Sequence, residues 1–256
     1  MTGGDDPGQP VELAPGVLAL FTGRGGGVSE PPYDALNLGG GVGDEPAAVA
    51  ANRRLAASAC GLAADRLAWM RQVHGTTVRY APSANTAASG EITGSEVPEA
   101  DAIFTDAAGL VLGVLVADCA PVLLADPRAR IVGAAHAGRE GMANGVVTEL
   151  ISAMSAAGAD PARMHAAIGP HICGGCYEVP EAMRARVAGK VPESGCVTRK
   201  GTAGIDVGAG VGVQLARAGV RTVARDPRCT AETPGLFSYR RDGQTGRLAG
   251  LVWLTP

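Results

Sequence analysis

The chain has 256 residues, of which 46% are hydrophobic and 18% charged, with a formal net charge of −3. This composition excludes an intrinsically disordered chain, and a weak negative charge without a basic run gives no indication of nucleic-acid binding. Because no apolar run reaches membrane-spanning length and "MTGGDDPGQP" does not resemble a signal peptide, we expect a cytoplasmic protein whose six cysteines are thiols or ligands rather than disulfides.

The N-terminal part begins with a predicted mobile tail, residues 1–15, followed by a strand over Val17–Phe21. The next segment, residues 22–46, is too rich in glycine and proline for regular structure, and a loop of this length is often functional. Asp44 is predicted to cap a helix that runs to about Cys60.

The segment "RLAWMRQVHGTTVRYA" predicts two strands with a break at His74-Gly75, and residues 82–98 are polar enough for a surface loop. The segment "REGMANGVVTELISAMSAAG" has the apolar spacing of one helix, ended by Gly158. The remaining predicted strands are 110–117, 121–125, 130–135, Met164–Ile168, 220–224 and 248–254, with helices near 180–188 and 206–218. Mixed strands and helices of this kind indicate an α/β or α+β domain without deciding its topology.

One cysteine and one histidine follow two buried strands. Cys119 comes just after the apolar run ending at Ala117, and His136 follows the run Ile131–Ala135. Such positions face a cleft, although a packed cysteine and a hydrogen-bonded loop histidine remain the simpler alternative. His74 lies at a strand break, and two imidazoles with a thiolate suit a zinc ion that keeps an open position for water.

The other ligand-type residues give weaker signals. His165 lies within an apolar strand, where a packed histidine is the simpler interpretation. "HICGGC" contains a Cys-x-x-Cys pair, Cys173 and Cys176, but no second pair that would complete a structural zinc site is recognisable. Without a neighbouring redox pattern, the pair is also a poor indication of thiol–disulfide chemistry.

A series of ordered motifs between about Val17 and Leu254 resembles a known family, the bacterial peptidoglycan editing factors or laccase-domain (polyphenol oxidase) proteins, now described as purine nucleoside phosphorylases. The motifs that carry the resemblance are "FTGRGGGVSEPPYDALNLGGGVGDEPAAVAANR", "RQVHGTTV", "ADAIFTD", "VADCAPVLLAD", "VGAAHAG", "IGPHICGGCYEV" and "LFSYRRDGQTGRLAGLVWL". The resemblance implies an α+β fold in one catalytic domain, residues 16–256, with two mixed β-sheets sandwiched between helices in α/β/β/α layers. It also implies a zinc site at His74, Cys119 and His136.

The resemblance further implies phosphorolysis of adenosine, inosine and 5′-methylthioadenosine, with adenosine deamination as a second activity. Deamination has a physical reason, because zinc lowers the pKa of bound water and so activates it toward the purine ring. The expected partners are therefore a nucleoside and phosphate, with no nucleic acid and no membrane. Copper is expected at most as an adventitious occupant.

Roles for further residues follow from motif position and side-chain chemistry. Cys119 and His136 are the expected catalytic pair, and a carboxylate is needed as general acid or base. The candidate carboxylates and substrate-binding residues are Asp118, Glu178, Arg24, Arg240, Asn37, Gln72 and Cys176. The arginines are the phosphate candidates, with solvated surface arginines as the alternative, and the two amides suit ribose or base.

Two departures from the family pattern affect these roles. The family often has a tryptophan after "HAG", where this chain has Arg139-Glu140-Gly141, which leaves the base-stacking partner open. Many members have adjacent cysteines before "YEV", whereas Cys173 and Cys176 are separated by two glycines.

Three rival functions remain to be separated. In a metal-free cysteine hydrolase that edits peptidoglycan precursors, Cys119 is the nucleophile, His136 the base, and His74 is dispensable. A multicopper oxidase is excluded by counting, since it needs roughly eight imidazoles beyond a blue-copper centre and the chain has four histidines. A non-catalytic, zinc-stabilised binding module fits poorly with an open coordination position beside a long glycine-rich loop.

Overall fold

Thirteen strands and six helices make up the fold that the computed structural model describes for residues 8–82 and 98–256. The strands are Val11–Ala14 (β1), Val17–Phe21 (β2), Leu67–Ala68 (β3), Val78–Tyr80 (β4), Ala102–Thr105 (β5), Val111–Val116 (β6), Ala120–Asp126 (β7), Ile131–Ala137 (β8), His165–Ile168 (β9), Gly195–Val197 (β10), Ala203–Ile205 (β11), Thr222–Arg225 (β12) and Leu248–Leu254 (β13). The helices are Pro46–Ala59 (α1), Arg139–Asn144 (α2), Val146–Ala156 (α3), Glu181–Ala188 (α4), Val207–Arg217 (α5) and Tyr239–Asp242 (α6).

Two sheets, both mixed, carry most of these strands. The five-stranded sheet has the order β1-β2-β13-β6-β3, with antiparallel pairs except for the parallel pair β3–β6. The six-stranded sheet has the order β12-β9-β7-β8-β5-β4, in which the pairs β12–β9 and β4–β5 are parallel. Strands β10 and β11 form a separate hairpin.

The two sheets pack face to face, and helices cover their outer faces. Apolar side chains such as Leu112 and Val252 from one sheet meet Leu123 and Val132 from the other in a shared core. Helix α1 packs on the outer face of the five-stranded sheet, while α3 and α5 cover the six-stranded sheet. Because both faces are covered, β7, β8 and β13 are buried along their whole length, which explains their continuous apolar runs. The predicted α+β fold with two mixed sheets between helices is confirmed.

Several predicted boundaries differ from the structure. Val11–Ala14, which we assigned to the mobile tail, pairs with β2 because its backbone extends the edge of the five-stranded sheet. Residues 1–7 of that tail, and 83–97 of the predicted surface loop, lie outside the described residues. The single helix predicted after residue 138 is wrong, since Gly145 adopts φ 92° and divides it into α2 and α3.

The start of α1 also differs from the prediction. Glu45, not Asp44, precedes the helix, and it forms no side-chain cap. The Asp44 carboxylate instead accepts hydrogen bonds from Ser29 and Asn37, at 2.6 and 2.8 Å, within the long loop. Asp44 therefore links two earlier parts of the long loop, at Ser29 and Asn37, to the chain just before the start of α1.

Asp126, at the end of β7, is buried and links the turn between β7 and β8 to the connection between α3 and β9. Its carboxylate accepts backbone N–H bonds from Arg128, Ala129 and Asp160 and pairs with Arg163 at 2.9 Å. Burial alone would raise the pKa of Asp126, but these donors hold it below its ordinary value.

We expect Asp126→Asn to lower the free energy of unfolding by about 1–3 kcal/mol at pH 7, because donors lose a charged acceptor. A carboxyl whose pKa is depressed on folding stabilises the fold above the ordinary aspartate pKa and loses that contribution as pH falls through the folded pKa. When the pH falls from 6 to 3, roughly the range over which such a carboxyl titrates, the free energy of unfolding of the variant should therefore decrease less than that of the wild type. Urea unfolding at each pH measures this free energy. Asp65→Asn, at an exposed carboxylate, is the matched control; equal pH dependence of all three proteins would contradict the assignment.

Candidate metal and substrate site

His74, Cys119 and His136 lie together where the two sheets meet. Their ligand atoms all fall within 4.8 Å of one another, with 3.9 Å between His74 Nε2 and Cys119 Sγ. The two imidazole rings are edge-to-face, with centroids 4.8 Å apart. His74 lies on the connection from β3 to β4, Cys119 immediately precedes β7, and His136 is the next-to-last residue of β8.

The turn that carries Cys119 takes the chain from one sheet to the other. Only three residues separate β6 in the five-stranded sheet from β7 in the six-stranded sheet. Asp118 in this turn adopts φ 90°, a strained conformation for a residue with a side chain. Its carboxylate holds the turn by accepting hydrogen bonds from Thr230 Oγ1, Ser238 Oγ and the Arg240 N–H, at 2.6–2.7 Å.

A buried carboxylate, Asp101, connects the two histidines. It accepts backbone N–H bonds from Val73, His74 and Gly75 at 3.2, 2.9 and 2.7 Å, which shape the turn at His74. The same carboxylate lies 2.8 Å from His136 Nδ1. With Nδ1 donating to a carboxylate, Nε2 of His136 is left as the ligand atom, the usual arrangement around metal-binding histidines.

The charges within the trio favour a thiolate. Burial raises the pKa of the Cys119 thiol, but the charge of His136 and hydrogen bonds to both histidines bring it down to about 6. Burial conversely lowers the pKa of His136, but Cys119 and Asp101 raise it to about 9. Before any metal binds, Cys119 and His136 therefore form a thiolate–imidazolium pair at neutral pH.

The donor set fits a transition metal with three protein ligands. Two imidazole nitrogens and one thiolate are ligands that zinc accepts, and a fourth position remains for water or substrate. The neighbouring "HAG" motif is part of the fit, because a Cβ at Gly138 would lie 2.8 Å from the His74 ring and 3.1 Å from Cys119 Sγ. Only glycine allows the backbone to approach the trio so closely.

The trio opens into a cavity of about 930 Å³, a volume that suits a small organic ligand. One part of the wall is the glycine-rich segment 39–42 with the buried Arg53 and with Arg247. Another part carries Tyr177 and Tyr239. The cavity therefore combines a metal-type donor set, several guanidinium groups and aromatic surface.

Two of the predicted substrate-binding residues, Gln72 and Arg240, line this cavity. The Gln72 amide is engaged by the backbone N–H and carbonyl of Leu115, both at 2.7 Å, so it braces β6. The Arg240 guanidinium lies over the Tyr177 ring, 5.0 Å from its centroid. Asp118 lies beside Cys119, but its carboxylate oxygens are already hydrogen-bonded, which suits a positioning role better than proton transfer.

The structure does not place Arg24 or Asn37 on the cavity wall. Arg24 forms ion pairs with Asp34 and Asp242, at 2.8 and 3.4 Å, and covers Phe237. The buried Asn37 amide donates to Asp44 and accepts from the N–H groups of Gly39 and Arg247. Both side chains thus shape the loop, because local carboxylates and backbone groups satisfy them.

Glu178 and Cys176 also lie away from the described cavity wall. Glu178 is exposed and joins the hairpin through a bridge to Gly204. Cys176 belongs to a separate group of thiols.

The sequence interpretation missed Asp101, Arg53 and Arg247, and also the cavity-lining Tyr177 and Tyr239. Asp101 stands in the quoted motif "ADAIFTD", where a carboxylate directly before an apolar strand was the available signal. Arg53 shares the buried stripe of α1 with Val49 and Ala56, and a charged residue on such a stripe indicates a specific role. Arg247 carries the same kind of signal, because it stands directly before the apolar strand Leu248–Leu254 in the motif "LFSYRRDGQTGRLAGLVWL".

Comparisons with known proteins agree with this fold. The family model described as multi-copper polyphenol oxidoreductase laccase matches residues 18–255. A purine nucleoside phosphorylase of Streptomyces coelicolor is 53% identical over 234 residues, which cover 91% of this chain and 94% of the relative. One of Escherichia coli is 37% identical over 242 residues, covering 93% and 94%. The crystal structure of YlmD from Geobacillus stearothermophilus has a TM-score of 0.88 and 30% identity, covering 96% and 94% of the two chains.

We expect Asp101→Asn to weaken metal binding by about 10–100-fold, because the amide no longer holds His136 with a charged acceptor. Competition between the protein and a zinc chelator measures the affinity. Asp106→Asn, which changes an exposed carboxylate just after the same strand, should bind zinc as the wild type does. Unchanged affinity in Asp101→Asn, with a fold intact by circular dichroism, would show that Asp101 does not orient the trio.

Proposed function

This chain belongs to the family described as multi-copper polyphenol oxidoreductase laccase, and we propose that it is a purine nucleoside phosphorylase whose catalytic domain spans residues 16–256. The names of its relatives support this activity. The observation that carries it is the cavity, whose lining combines aromatic side chains and a metal-type trio with Arg53 and Arg247, neither of which forms an ion pair with a carboxylate in the described part of the chain. The four histidines of the chain are too few for multicopper chemistry, so copper is at most an adventitious occupant.

Phosphate binds at the wall formed by residues 39–42, Arg53 and Arg247. In the described part of the chain neither guanidinium pairs with a carboxylate; Arg53 donates to the Leu38 carbonyl and Arg247 to those of Thr245 and Gly246. Burial lowers the pKa of Arg53 only to about 10, so it stays charged at neutral pH. A buried cation without an anionic partner is costly, and an anionic ligand relieves that cost.

The glycines of this wall let the anion approach the backbone. A Cβ at Gly39 would lie 2.6 Å from the Arg247 side chain, and one at Gly40 would lie 3.5 Å from Arg53. The Gly39 N–H already donates to Asn37, so the backbone donors of the kind that cradle phosphate are those of residues 40–42. This proposal places phosphate at Arg53 and Arg247 rather than at the sequence-based candidates Arg24 and Arg240.

The nucleoside occupies the space between this wall and the tyrosines. Tyr239 is 63% exposed yet lines the cavity, so its ring is free to stack on a purine. Tyr177 is held by Arg240 over its face and by Arg139, which donates to its hydroxyl at 3.1 Å. Tyr239 thus takes the stacking role that the missing tryptophan left open.

In phosphorolysis a phosphate oxygen forms a bond to C1′ of the ribose as the bond from C1′ to purine N9 breaks. The electron pair of that bond leaves with the base, which takes up a proton, and ribose 1-phosphate is the second product. Arg53 and Arg247 hold the phosphate at C1′, a contribution of proximity and orientation. The substrates are adenosine, inosine and 5′-methylthioadenosine.

His74, Cys119 and His136 would hold zinc. Bound there, zinc would supply Lewis-acid chemistry that activates water, the chemistry that adenosine deamination as a second activity would need. His74, Cys119 and His136 would provide the donors, and Asp101 keeps the His136 ring in its orientation.

A cysteine hydrolase acting on peptidoglycan precursors is the second candidate, favoured by one observation. Asp101, His136 and Cys119 follow one another as orienting carboxylate, base and nucleophile, and the thiol is ionised at neutral pH. His74 separates the two functions, because only the metal site requires it.

We expect His74→Ala and Cys119→Ala to lose zinc and inosine phosphorolysis together, because each removes one of three ligands. Metal analysis and phosphate-dependent release of hypoxanthine from inosine measure the two properties. Full phosphorolysis in zinc-free His74→Ala would contradict the metal role. The hydrolase would instead require that His74→Ala keep, and Cys119→Ala lose, phosphate-independent hydrolysis of a peptidoglycan precursor.

We expect Arg247→Ala to lower kcat/KM for phosphate by about 10–100-fold, the cost of losing a charge-assisted contact. The KM for inosine should change little, which separates phosphate binding from a general structural loss. Arg54→Ala, at an exposed neighbour of Arg53, should behave as the wild type. A larger loss of phosphate dependence in Arg24→Ala than in Arg247→Ala would return the phosphate site to the loop that the sequence suggested.

A further inference from the structure

Three cysteines and a glutamate form a second cluster outside the cavity. The ligand atoms of Cys173, Cys176, Cys229 and Glu232 all lie within 4.8 Å of one another. The sequence showed only the Cys-x-x-Cys half, Cys173 and Cys176, without a partner. The fold supplies the other half as Cys-x-x-Glu, Cys229 and Glu232, from the connection between β12 and α6.

Backbone contacts fix the two halves against each other. His171 and Cys229 form a parallel bridge, and the Thr230 N–H donates to the His171 carbonyl at 3.1 Å. The Cys176 N–H donates to the Cys173 carbonyl at 2.9 Å, closing a tight turn that places both thiols on the same side. The Cys173 N–H donates to Cys229 Sγ at 3.4 Å, a contact that stabilises a thiolate.

A cation already occupies the mouth of this cluster. Arg199 Nη1 donates to Cys176 Sγ at 3.1 Å and to Cys173 Sγ at 3.7 Å, and it pairs with Glu232. One nitrogen thus contacts three of the four potential ligand atoms, which indicates where positive charge is most favourable. Arg199 follows the β10 strand and its side chain is 60% exposed, so it has room to move aside and remain as an outer countercharge.

We propose that Cys173, Cys176, Cys229 and Glu232 form a second, structural zinc site, independent of His74, Cys119 and His136. Three thiolates and one carboxylate supply the four ligands of a closed tetrahedral site, without an open position for substrate. Binding releases the three thiol protons and converts them to thiolate ligands, with no change of oxidation state.

The location of the cluster gives such a site a structural purpose. Ile172 and Tyr177, which flank the Cys-x-x-Cys turn, both line the cavity. On the other half, Thr230 lies between Cys229 and Glu232 and donates to Asp118 beside Cys119. A metal that joins the two halves therefore fixes the position of Tyr177 in the cavity lining relative to the turn that carries Asp118 and Cys119.

The experiment uses the Cys119→Ala background, where the first site has lost a ligand, in a reducing buffer. With added zinc(II) followed by removal of excess metal, this protein should retain about one zinc per chain by metal analysis. Adding Cys176→Ser or Glu232→Gln should lower its affinity for zinc by about 10–100-fold, because a half-exposed ligand is removed without opening the core. Cobalt(II) in the same background should show intense thiolate-to-metal absorption that Cys176→Ser reduces.

Cys196→Ser in the same background is the matched control. The Cys196 thiol lies beside the turn and donates to the Gly174 carbonyl at 3.5 Å, but it is not one of the four ligands. This variant should keep its zinc and its cobalt spectrum. The proposal is overturned if Cys119→Ala retains no zinc, if Cys176→Ser changes nothing, or if Cys173 and Cys176 form a disulfide whose reduction yields no metal uptake.

Discussion

The buried carboxylate of Asp101 is the interaction on which the first site depends. It accepts three consecutive backbone N–H groups around His74 and also holds the ring of His136. Burial by itself would raise the pKa of Asp101. The hydrogen bonds from His136 and the backbone donors lower it by more, so the net pKa lies below the ordinary value and the carboxylate stays ionised. Because one carboxylate serves both histidines, their relative position follows from a single buried charge.

The position of the site follows from how the chain passes between its two sheets. A three-residue turn must carry β6 into β7, and the positive φ of Asp118 reflects that constraint. Thr230, Ser238 and Arg240 come from a distant segment and hold this residue, which places the wall of the cavity directly over the turn. The same three hydrogen bonds therefore hold Asp118 in its strained backbone conformation and hold the segment around Arg240, which lines the cavity, against the turn.

Different parts of the cavity lining differ in chemical character. The glycine-rich segment 39–42 with the partly desolvated Arg53 and Arg247 forms a positive region, while Tyr177 and Tyr239 supply aromatic surface elsewhere in the lining. Asn37 and Asp44 satisfy the polar groups of the intervening loop, so this irregular segment keeps a defined shape. Of the residues that suggested substrate binding from their chemistry, Arg24 and Asn37 thus shape this loop, whereas Gln72 and Arg240 line the cavity.

The continuous apolar runs of the sequence indicated an α/β or α+β domain, and the family resemblance of its motifs implied the layered α+β fold with two mixed sheets. Strand ends suggested His74, Cys119 and His136 as a trio, and the resemblance implied the same three residues. The sequence by itself did not determine which arginines face the cavity, nor that Cys229 and Glu232 complete the pair formed by Cys173 and Cys176. Those relations join segments tens of residues apart, and side-chain chemistry does not reveal which hydrogen bonds a residue will already have made. Only the tertiary structure decided them, because sheet pairing and burial determine which polar groups are satisfied locally and which remain for a ligand.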